Sequence, residues 1–494
     1  MSKHIAIDLG AESGRVSIVE IVGGADGRLT IEEVHRFRNG PVGSSGTLYW
    51  DVLGLWQEIK TGLRKASAVH GRDLRSVAVD TWGIDFALLD RRGKLISNPT
   101  CYRDPRTAGV LERTLDRMPR EEIFRQSGGI QFLSINTLYQ LLAMVEQGDP
   151  ALEVADTFLM MPDLFHYWLS GRKACEFTDA TSTQFFNAQN GGWAIDMLAR
   201  LGAPSHFLPE VVLPGTILGE LLPDIAEETG LHQLPVVAPA SHDTASAVVA
   251  VPADRERFAW LSSGTWSLLG GISSQPIVSS QALAYNFSSY GGPEGLYLPW
   301  KNITGLWLLQ ECRRIWSQGT ELIPYGRLIE EAHAAASFVA VIDPDAPEFL
   351  APYDMPAVIA AYCREHGEAS PSSRGETVRL ILESLALRYR WTLEKLAHLQ
   401  NTSFDALYVV GGGTQNTLLC QFTADACGIP VVAGPVEATT IGNAALQAIA
   451  IGELSGLQDA RTLVRRTCAV TVYEPGLRAP WEAAYARFLR LIGQ

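Results

Sequence analysis

Two short turns rich in small residues lead the segments able to do chemistry. In Asp8-Leu-Gly-Ala-Glu-Ser-Gly-Arg15 a carboxylate ends an apolar run, small residues follow, and an arginine closes the segment. Bare backbone N–H groups in such a turn can approach an anion, and a strand-end carboxylate can hold a hydrated Mg²⁺. Arg15 adds a planar fork suited to phosphate. The same residues also make an ordinary tight β-turn, and the segment alone leaves both readings open. Ser262-Ser-Gly-Thr-Trp266 repeats the arrangement with the hydroxyl of Thr265 after a glycine. By itself it too reads as a plain turn. Paired with the first, it suggests a clamp on a polyphosphate.

A third segment, LYVVGGGTQN (407–416), sets three glycines between a strand and the opening of a helix. A flat ligand can lie on that backbone, with the helix N-terminus favouring negative charge nearby. The spacing is not GxGxxG, so the dinucleotide fingerprint is not met. In PASHDTASAV (239–248), Asp243 follows the apolar run LPVVAPA and precedes small residues that start a helix. Asp243 is there as a helix N-cap, or, beside His242, as a general base. The fifth set, Thr81-Trp-Gly-Ile-Asp85, Tyr102-Arg-Asp104 and Asn302, places aromatic faces beside acid, amide and guanidinium groups, as a polyol requires.

The elements that must position these residues follow from hydrophobic spacing. HIAIDL (4–9), VSIVEIV (16–22) and LTIEEVHRF (29–37) predict a three-stranded antiparallel meander. Residues 53–69 show helical spacing, and SVAVDTWGIDF (76–86) returns to strand. The result is an α/β unit with hairpins at its start and a helical crossover behind them. FAWLS (258–262), SGT and WSLLGGI (266–272) look like a diverged repeat of the first hairpin, with a boundary near 245–257. Residues 364–374 predict an exposed loop, and 376–399 a long amphipathic helix.

Composition narrows the class. The 494 residues carry 40 Lys+Arg against 54 Asp+Glu, a formal net charge of −14, and no basic cluster that would grip nucleic acid. With 47% hydrophobic and 19% charged residues, the chain reads as an ordinary globular enzyme. The N-terminus lacks a secretory pattern, and no apolar run approaches membrane-spanning length. Seven dispersed cysteines show no CxxC pair, which fits reduced thiols in a cytoplasm. Neither a membrane nor a nucleic acid is expected as partner.

In order and spacing, Asp8–Arg15, TWGID, YRDPRT, SHDTASAV, SSGTW and VVGGGTQN resemble the FGGY carbohydrate kinases of the sugar kinase/Hsp70/actin superfamily. LYWDV, LMMPDLFHYWLSG, ATSTQ and KNITGLWLLQ extend the resemblance, over about residues 4–450, to the subgroup acting on L-rhamnulose. The resemblance implies two ribonuclease-H-like (actin-like ATPase) lobes, 1–245 and 246–494, with an interlobe active-site cleft. It implies ATP and Mg²⁺ as cofactors, a small ketose as substrate, and a monomer or homodimer. Asp243 becomes the catalytic base that takes a proton from the C1 hydroxyl. Gly83, His242, Asp243, Thr244 and Asn302 become sugar contacts. Ala11, Glu12, Ser13, Gly14, Arg15, Thr265, Gln310, Gly412 and Gly413 become the ATP site, with Asp8 holding Mg²⁺ through water. Glu12 departs from the small residue usual in that turn and sets an extra negative charge beside the triphosphate unless it points outward, which bears on nucleotide affinity and not on the class. Other ketoses, such as L-fuculose or a ketopentose, and an actin/Hsp70-like ATPase acting on a protein partner, remain as alternatives.

Overall fold

Ser2–Leu9 form strand β1 and Ser13–Val22 form β2, joined by the tight turn at Gly10, whose N–H donates to Ser13 O at 2.9 Å. The computed structural model describes residues 1–319, 321–350 and 352–494. β2 pairs antiparallel with β3 (Arg28–Arg38), and β1 pairs parallel with β4 (Leu74–Thr81). β5 (Thr216–Glu220) and β6 (Pro235–Ala238) complete a six-stranded sheet in the order β5-β6-β4-β1-β2-β3. Ile5, Ile7, Val77 and Val79 on one face and Ala6 and Ala78 on the other are fully buried, as expected for strands covered on both faces. The crossover helix Val52–His70 buries Leu55, Ile59, Leu63 and Ala66, one stripe at helical spacing, and is capped by Asp51. Helix Ala438–Ala450 packs on β1 and β4, where Gln447 Nε2 donates to Ile5 O at 2.9 Å. Helix Asp243–Val249 lies close against it: a Cβ on Gly442 would sit 1.8 Å from Ser246 O, so only glycine fits there.

A second sheet contains, in order, β9 (Tyr297–Thr304), β8 (Trp266–Gly270), β7 (Phe258–Ser263), β10 (Ala406–Val410), β11 (Val431–Ala433) and β12 (Thr471–Tyr473). The pairing sense repeats that of the first sheet: β7 with β8 antiparallel, β8 with β9 antiparallel, β7 with β10 parallel, β10 with β11 parallel, β11 with β12 antiparallel. The repeat suggested by the short FAWLS–SGT–WSLLGGI match thus extends over six strands.

Two expectations are corrected. Residues 76–86 are not one strand: β4 stops at Thr81, Ile84 takes a positive φ of 68°, and a separate strand runs Phe86–Leu89. The break comes from Asp85, whose buried carboxylate gathers three side-chain donors and pulls the chain out of the ladder. The long helix runs Arg374–Gln400 but is not amphipathic in place, since every residue from Leu380 through Tyr389 is buried. Its polar positions are neutralised internally, Glu383 by Arg379 at 2.7 Å and Arg388 by Asp345 at 2.8 Å.

The chain forms two compact units, discontinuous in sequence. The first comprises 1–250, 272–299 and 438–467, and the second 251–271, 300–437 and 468–494. All seven cysteines are free thiols, five of them buried. Among the described residues no helix is long and apolar enough to cross a membrane.

Candidate active site

In the first unit, the parallel register sets Asp8 of β1 directly beside Asp80 of β4, and the antiparallel register sets Asp8 beside Arg15 of β2. Arg15 Nε lies 3.3 Å from Asp8 Oδ2, and Thr440 Oγ1 reaches the same oxygen at 3.4 Å. One turn further along that helix, Asn443 Nδ2 donates to Asp80 Oδ2 at 2.6 Å. Burial and then the charge of Asp8 push the Asp80 carboxyl well above its ordinary range, against the hydrogen bond from Asn443. Two adjacent carboxylates with an arginine and hydroxyls suit a cation that keeps its water and takes phosphate oxygens. Among the described residues no three acidic, histidine or cysteine side chains form a metal cage. In the adjoining turn Ala11 and Ser13 are half-buried, and Glu12 is exposed. Gly14 has a packing reason of its own, since a Cβ there would lie 2.3 Å from the Phe37 ring.

The strand-to-helix loop after β6 carries the next group. Thr81 N–H donates to Ser241 O at 2.9 Å, which brings the end of β4 to His242. His242 caps the helix Asp243–Val249 through Nδ1, which accepts from Thr244 N–H at 3.2 Å and lies 2.9 Å from Asp243 Oδ1. The N-cap reading of Asp243 is therefore corrected by one residue: His242 is the cap, and Asp243 opens the helix. Asp243 Oδ1 accepts from the Thr244 N–H and, at 3.2 Å, from its hydroxyl, and about a third of the side chain (32%) stays exposed. Gly83 closes on this loop, where a Cβ would meet the His242 ring at 2.8 Å and Asp179 Oδ1 at 3.3 Å.

Three buried acids in this unit escaped sequence reasoning, besides Asp80. Glu176 accepts from Thr178 N–H and Ser241 N–H, both at 3.0 Å, tying helix Phe177–Ser182 to the His242 loop. Burial raises its carboxyl to about 7. Asp163 receives the Glu176 N–H at 3.0 Å, and Asp179 is fully buried with neither oxygen hydrogen-bonded. Burial above all, then the neighbouring carboxylates, raises Asp179 well above the ordinary range. The acidic and hydroxyl-rich run CEFTDATST was the available signal.

The polyol set is only partly available to a ligand. Asp85 Oδ2 accepts from Trp50 Nε1 at 2.5 Å, Trp82 Nε1 at 2.9 Å and Tyr102 N–H at 3.3 Å, and Oδ1 accepts from Gln140 at 2.9 Å. Burial still lifts it to about 6. Asp104 is spent on Leu48 and Arg106 backbone N–H groups. Both acids hold turns together, and the aromatic rings of Trp82 and Tyr102 are buried against Trp50.

In the second unit, the turn between β7 and β8 is tied to the helix Trp307–Trp316: Leu306 N–H donates to Gly264 O and Trp307 N–H to Thr265 O, both at 3.1 Å. That helix carries Gln310, whose Oε1 is buried and meets no partner. The glycine run lies against the same turn, with a Gly413 Cβ placed 2.0 Å from Ser263 Oγ, while Gly412 faces open space. Asn416 caps the following helix Thr417–Cys427. Thr265, Gln310, Gly412 and Gly413 thus form one group, and an unmet amide oxygen beside bare backbone fits a nucleotide base or ribose. Asn302 stands on β9 opposite Leu268, accepting from Trp300 Nε1 at 3.2 Å.

Residues 4–250 match the FGGY family of carbohydrate kinases, N-terminal domain, and residues 259–451 match its C-terminal domain. The chain is 42% identical over 483 residues to a rhamnulokinase of Bacteroides thetaiotaomicron, covering 98% of each chain. It is 41% identical over 487 residues to a rhamnulokinase of Pectobacterium atrosepticum, covering 99% of this chain and 96% of the relative. Among solved structures, a xylulose kinase from Lactobacillus acidophilus superposes with a TM-score of 0.82 at 14% identity, covering 100% of this chain and 98% of that one. A gluconate kinase from the same organism gives 0.81 at 15% identity over the same shares. These two establish the fold, with its actin-like ATPase architecture. On the strength of the family matches and the full-length relatives, the chain belongs to the FGGY family and is a carbohydrate kinase.

Proposed function

We propose that the protein transfers the γ-phosphoryl group of ATP to the C1 hydroxyl of L-rhamnulose, yielding L-rhamnulose 1-phosphate and ADP, as a cytoplasmic monomer or homodimer. The observation that carries this reading is the loop at Asp243: a partly exposed carboxylate, steered by Thr244, beside His242 and Gly83. The relatives named rhamnulokinase supply the substrate. Asp243 accepts the C1 hydroxyl proton as that oxygen attacks the γ-phosphorus and the bond to the bridging oxygen of ADP breaks. Gly83, His242, Thr244 and Asn302 hold the sugar. Ala11–Arg15 and Thr265 hold the phosphates, and Gln310, Gly412 and Gly413 back the nucleoside. On the division 1–245 and 246–494, the first part supplies the phosphate turn Ala11–Arg15 and every sugar contact but Asn302, and the second supplies Asn302, Thr265, Gln310, Gly412 and Gly413. Asp8 would hold Mg²⁺ through water; when bound, the ion neutralises phosphate charge.

The test is ADP release with Mg-ATP against L-rhamnulose, L-fuculose, L-ribulose, D-xylulose and glycerol. A tenfold or greater preference in kcat/KM for L-rhamnulose is expected. A pocket distinguishes a single methyl by only about 1–3 kcal/mol, so preference for another ketose would move the substrate and leave the chemistry standing. ATP turnover indifferent to every sugar would overturn the proposal.

A further inference from the structure

The buried middle of the helix Arg374–Gln400 reaches the hairpin of the Thr265 turn with Tyr389. Tyr389 is fully buried, and its hydroxyl lies 2.6 Å from Ser267 Oγ, a hydrogen bond that either oxygen can donate. Burial raises the phenol, and Ser267 and Ser263 act against that push, so both serines lie beside its oxygen. The phenol stays neutral and serves as a hydrogen-bonding group.

Ser263 and Ser267 face each other where β7 and β8 close, with Gly264-Thr265-Trp266 as the turn between them. Each serine hydroxyl also fills the space that a neighbouring side chain would need. A Cβ on Gly305 would lie 2.6 Å from Ser267 Oγ, and one on Gly413 would lie 2.0 Å from Ser263 Oγ. Gly305 leads into the helix Trp307–Trp316, which carries Gln310, and Gly413 belongs to the glycine run. The Thr265 turn, the approach to Gln310 and the glycine run thus rest on two hydroxyls beside one phenol. Ser263 Oγ is buried and makes no hydrogen bond, so the link from helix to turn runs through Ser267.

Without the phenol oxygen, Ser267 Oγ would be a buried hydroxyl short of this partner, which is costly. To find another it must rotate against Gly305 or draw β8 aside, and Thr265 stands two residues away. We propose that Tyr389 is a positioning residue of the nucleotide site: through Ser267 it fixes the turn that presents Thr265 and against which Gly413 lies. The inference rests on the assignment of Thr265 and Gly413 to ATP in the function proposed above.

The experiment titrates the full-length protein with Mg²⁺ and the non-hydrolysable analogue AMP-PNP by calorimetry, with no sugar present. Tyr389→Phe removes one oxygen and is expected to weaken binding about fivefold, the reach of one neutral hydrogen bond. The KM for ATP should rise by the same factor, with kcat and the sugar KM within about twofold of wild type. Ser267→Ala should lose as much, and the double variant no more than either alone, because the two groups form one interaction. Tyr485→Phe is the comparison. It removes the phenol oxygen of another buried tyrosine in the same unit, bonded to Glu394, and should leave nucleotide affinity unchanged. Unchanged affinity in Tyr389→Phe, an equal loss in Tyr485→Phe, or additive losses in the double variant overturns the proposal. Should Tyr389→Phe fail to fold, Ser267→Ala decides alone, and unchanged affinity in it overturns the proposal. Wild type that binds no nucleotide would sink the ATP-site assignment and this inference with it. Wild type that binds normally, beside an unchanged Tyr389→Phe, sinks the positioning role alone.

Discussion

The two sheets repeat one ladder and differ in what stands at its strand ends. In the first, the parallel pair β1/β4 sets Asp8 beside Asp80; at the matching place in the second, β7/β10 sets Ser262 beside Val410. Gly10 and Gly264 follow at the same distance in the two turns. After the parallel strand, the first unit continues into Trp82-Gly-Ile-Asp85, locked by indoles and Gln140, and the second into three glycines, of which Gly412 faces open space. The same backbone therefore carries acid in one unit and bare backbone with hydroxyls in the other. The difference teaches that the duplicated hairpin is a mount. Its character is set by a few residues at the strand ends, acids in the first unit and glycines in the second.

The largest effect that sharpens this division belongs to Asp243. Asp243→Ala is expected to lower kcat about a thousandfold, the usual reach of a general base, while calorimetry finds ATP affinity within about twofold of wild type. A variant keeping more than about a tenth of the wild-type kcat would remove Asp243 from the proton-accepting role.

Next comes the acid that supports the His242 loop. Glu176 has an ordinary value of 4.5 and is raised by burial to about 7 in the fold. Between those values the folded state keeps a proton that the unfolded chain releases, so stability falls as pH rises through that window and is fully lowered above 7. The term amounts to roughly 3 kcal/mol. Glu176→Gln does not titrate, so denaturant unfolding should show wild type losing ground to the variant between pH 4.5 and 8. Parallel pH profiles for the two would show that Glu176 is ionised in the fold throughout.

Much of this division was legible in the residues, and the exceptions share a cause. The hairpins, the crossover helix, the turn at Thr265 and the glycine run were readable because local spacing and small residues declare them. Asp80 was not, because its importance comes from a parallel register with Asp8, 72 positions away in the chain. Asp179 and Glu176 were missed for the same reason: in sequence they sit in a polar run, and only folding brings them under the His242 loop. Asp85 and Asp104 were readable as polar groups near aromatics, but besides the local Trp82 and Arg106 their donors Trp50, Gln140 and Leu48 lie on distant elements, so the residues themselves did not declare that these oxygens were occupied. The long helix erred oppositely. Arg379, Glu383 and Arg388 look like a solvent face until their partners are in place.

A smaller effect separates the strand-end positions. Asp8→Asn should raise the Mg²⁺ concentration for half-maximal rate about tenfold, as loss of one charged contact would. Ser262→Ala, at the matching register of the second sheet, should leave it unchanged. Equal shifts in both would mean that the acid at Asp8 has no special part in handling the cation, and the contrast between the sheets would lose its first term.

The smallest effects come from the two glycines, and they test the contrast most directly because each adds a single methyl. At Gly413 that methyl would lie 2.0 Å from Ser263 Oγ, and at Gly83 it would lie 2.8 Å from the His242 ring. Neither contact is tolerable as it stands, so in each unit a neighbour must shift, at a typical overpacking cost of about 1–3 kcal/mol. The consequence differs by unit. Moving Ser263 disturbs the turn that carries Thr265, so Gly413→Ala should raise the KM for ATP about fivefold and spare that for the sugar. Moving His242 disturbs the cap of the Asp243 helix, so Gly83→Ala should raise the sugar KM by a similar factor and spare ATP. Crossed results, with Gly83→Ala impairing ATP and Gly413→Ala impairing the sugar, would reverse the assignment of the two units. Both constants rising together in both variants would mean that the strand-end turns respond as one body, and that the acid and glycine faces do not divide the labour.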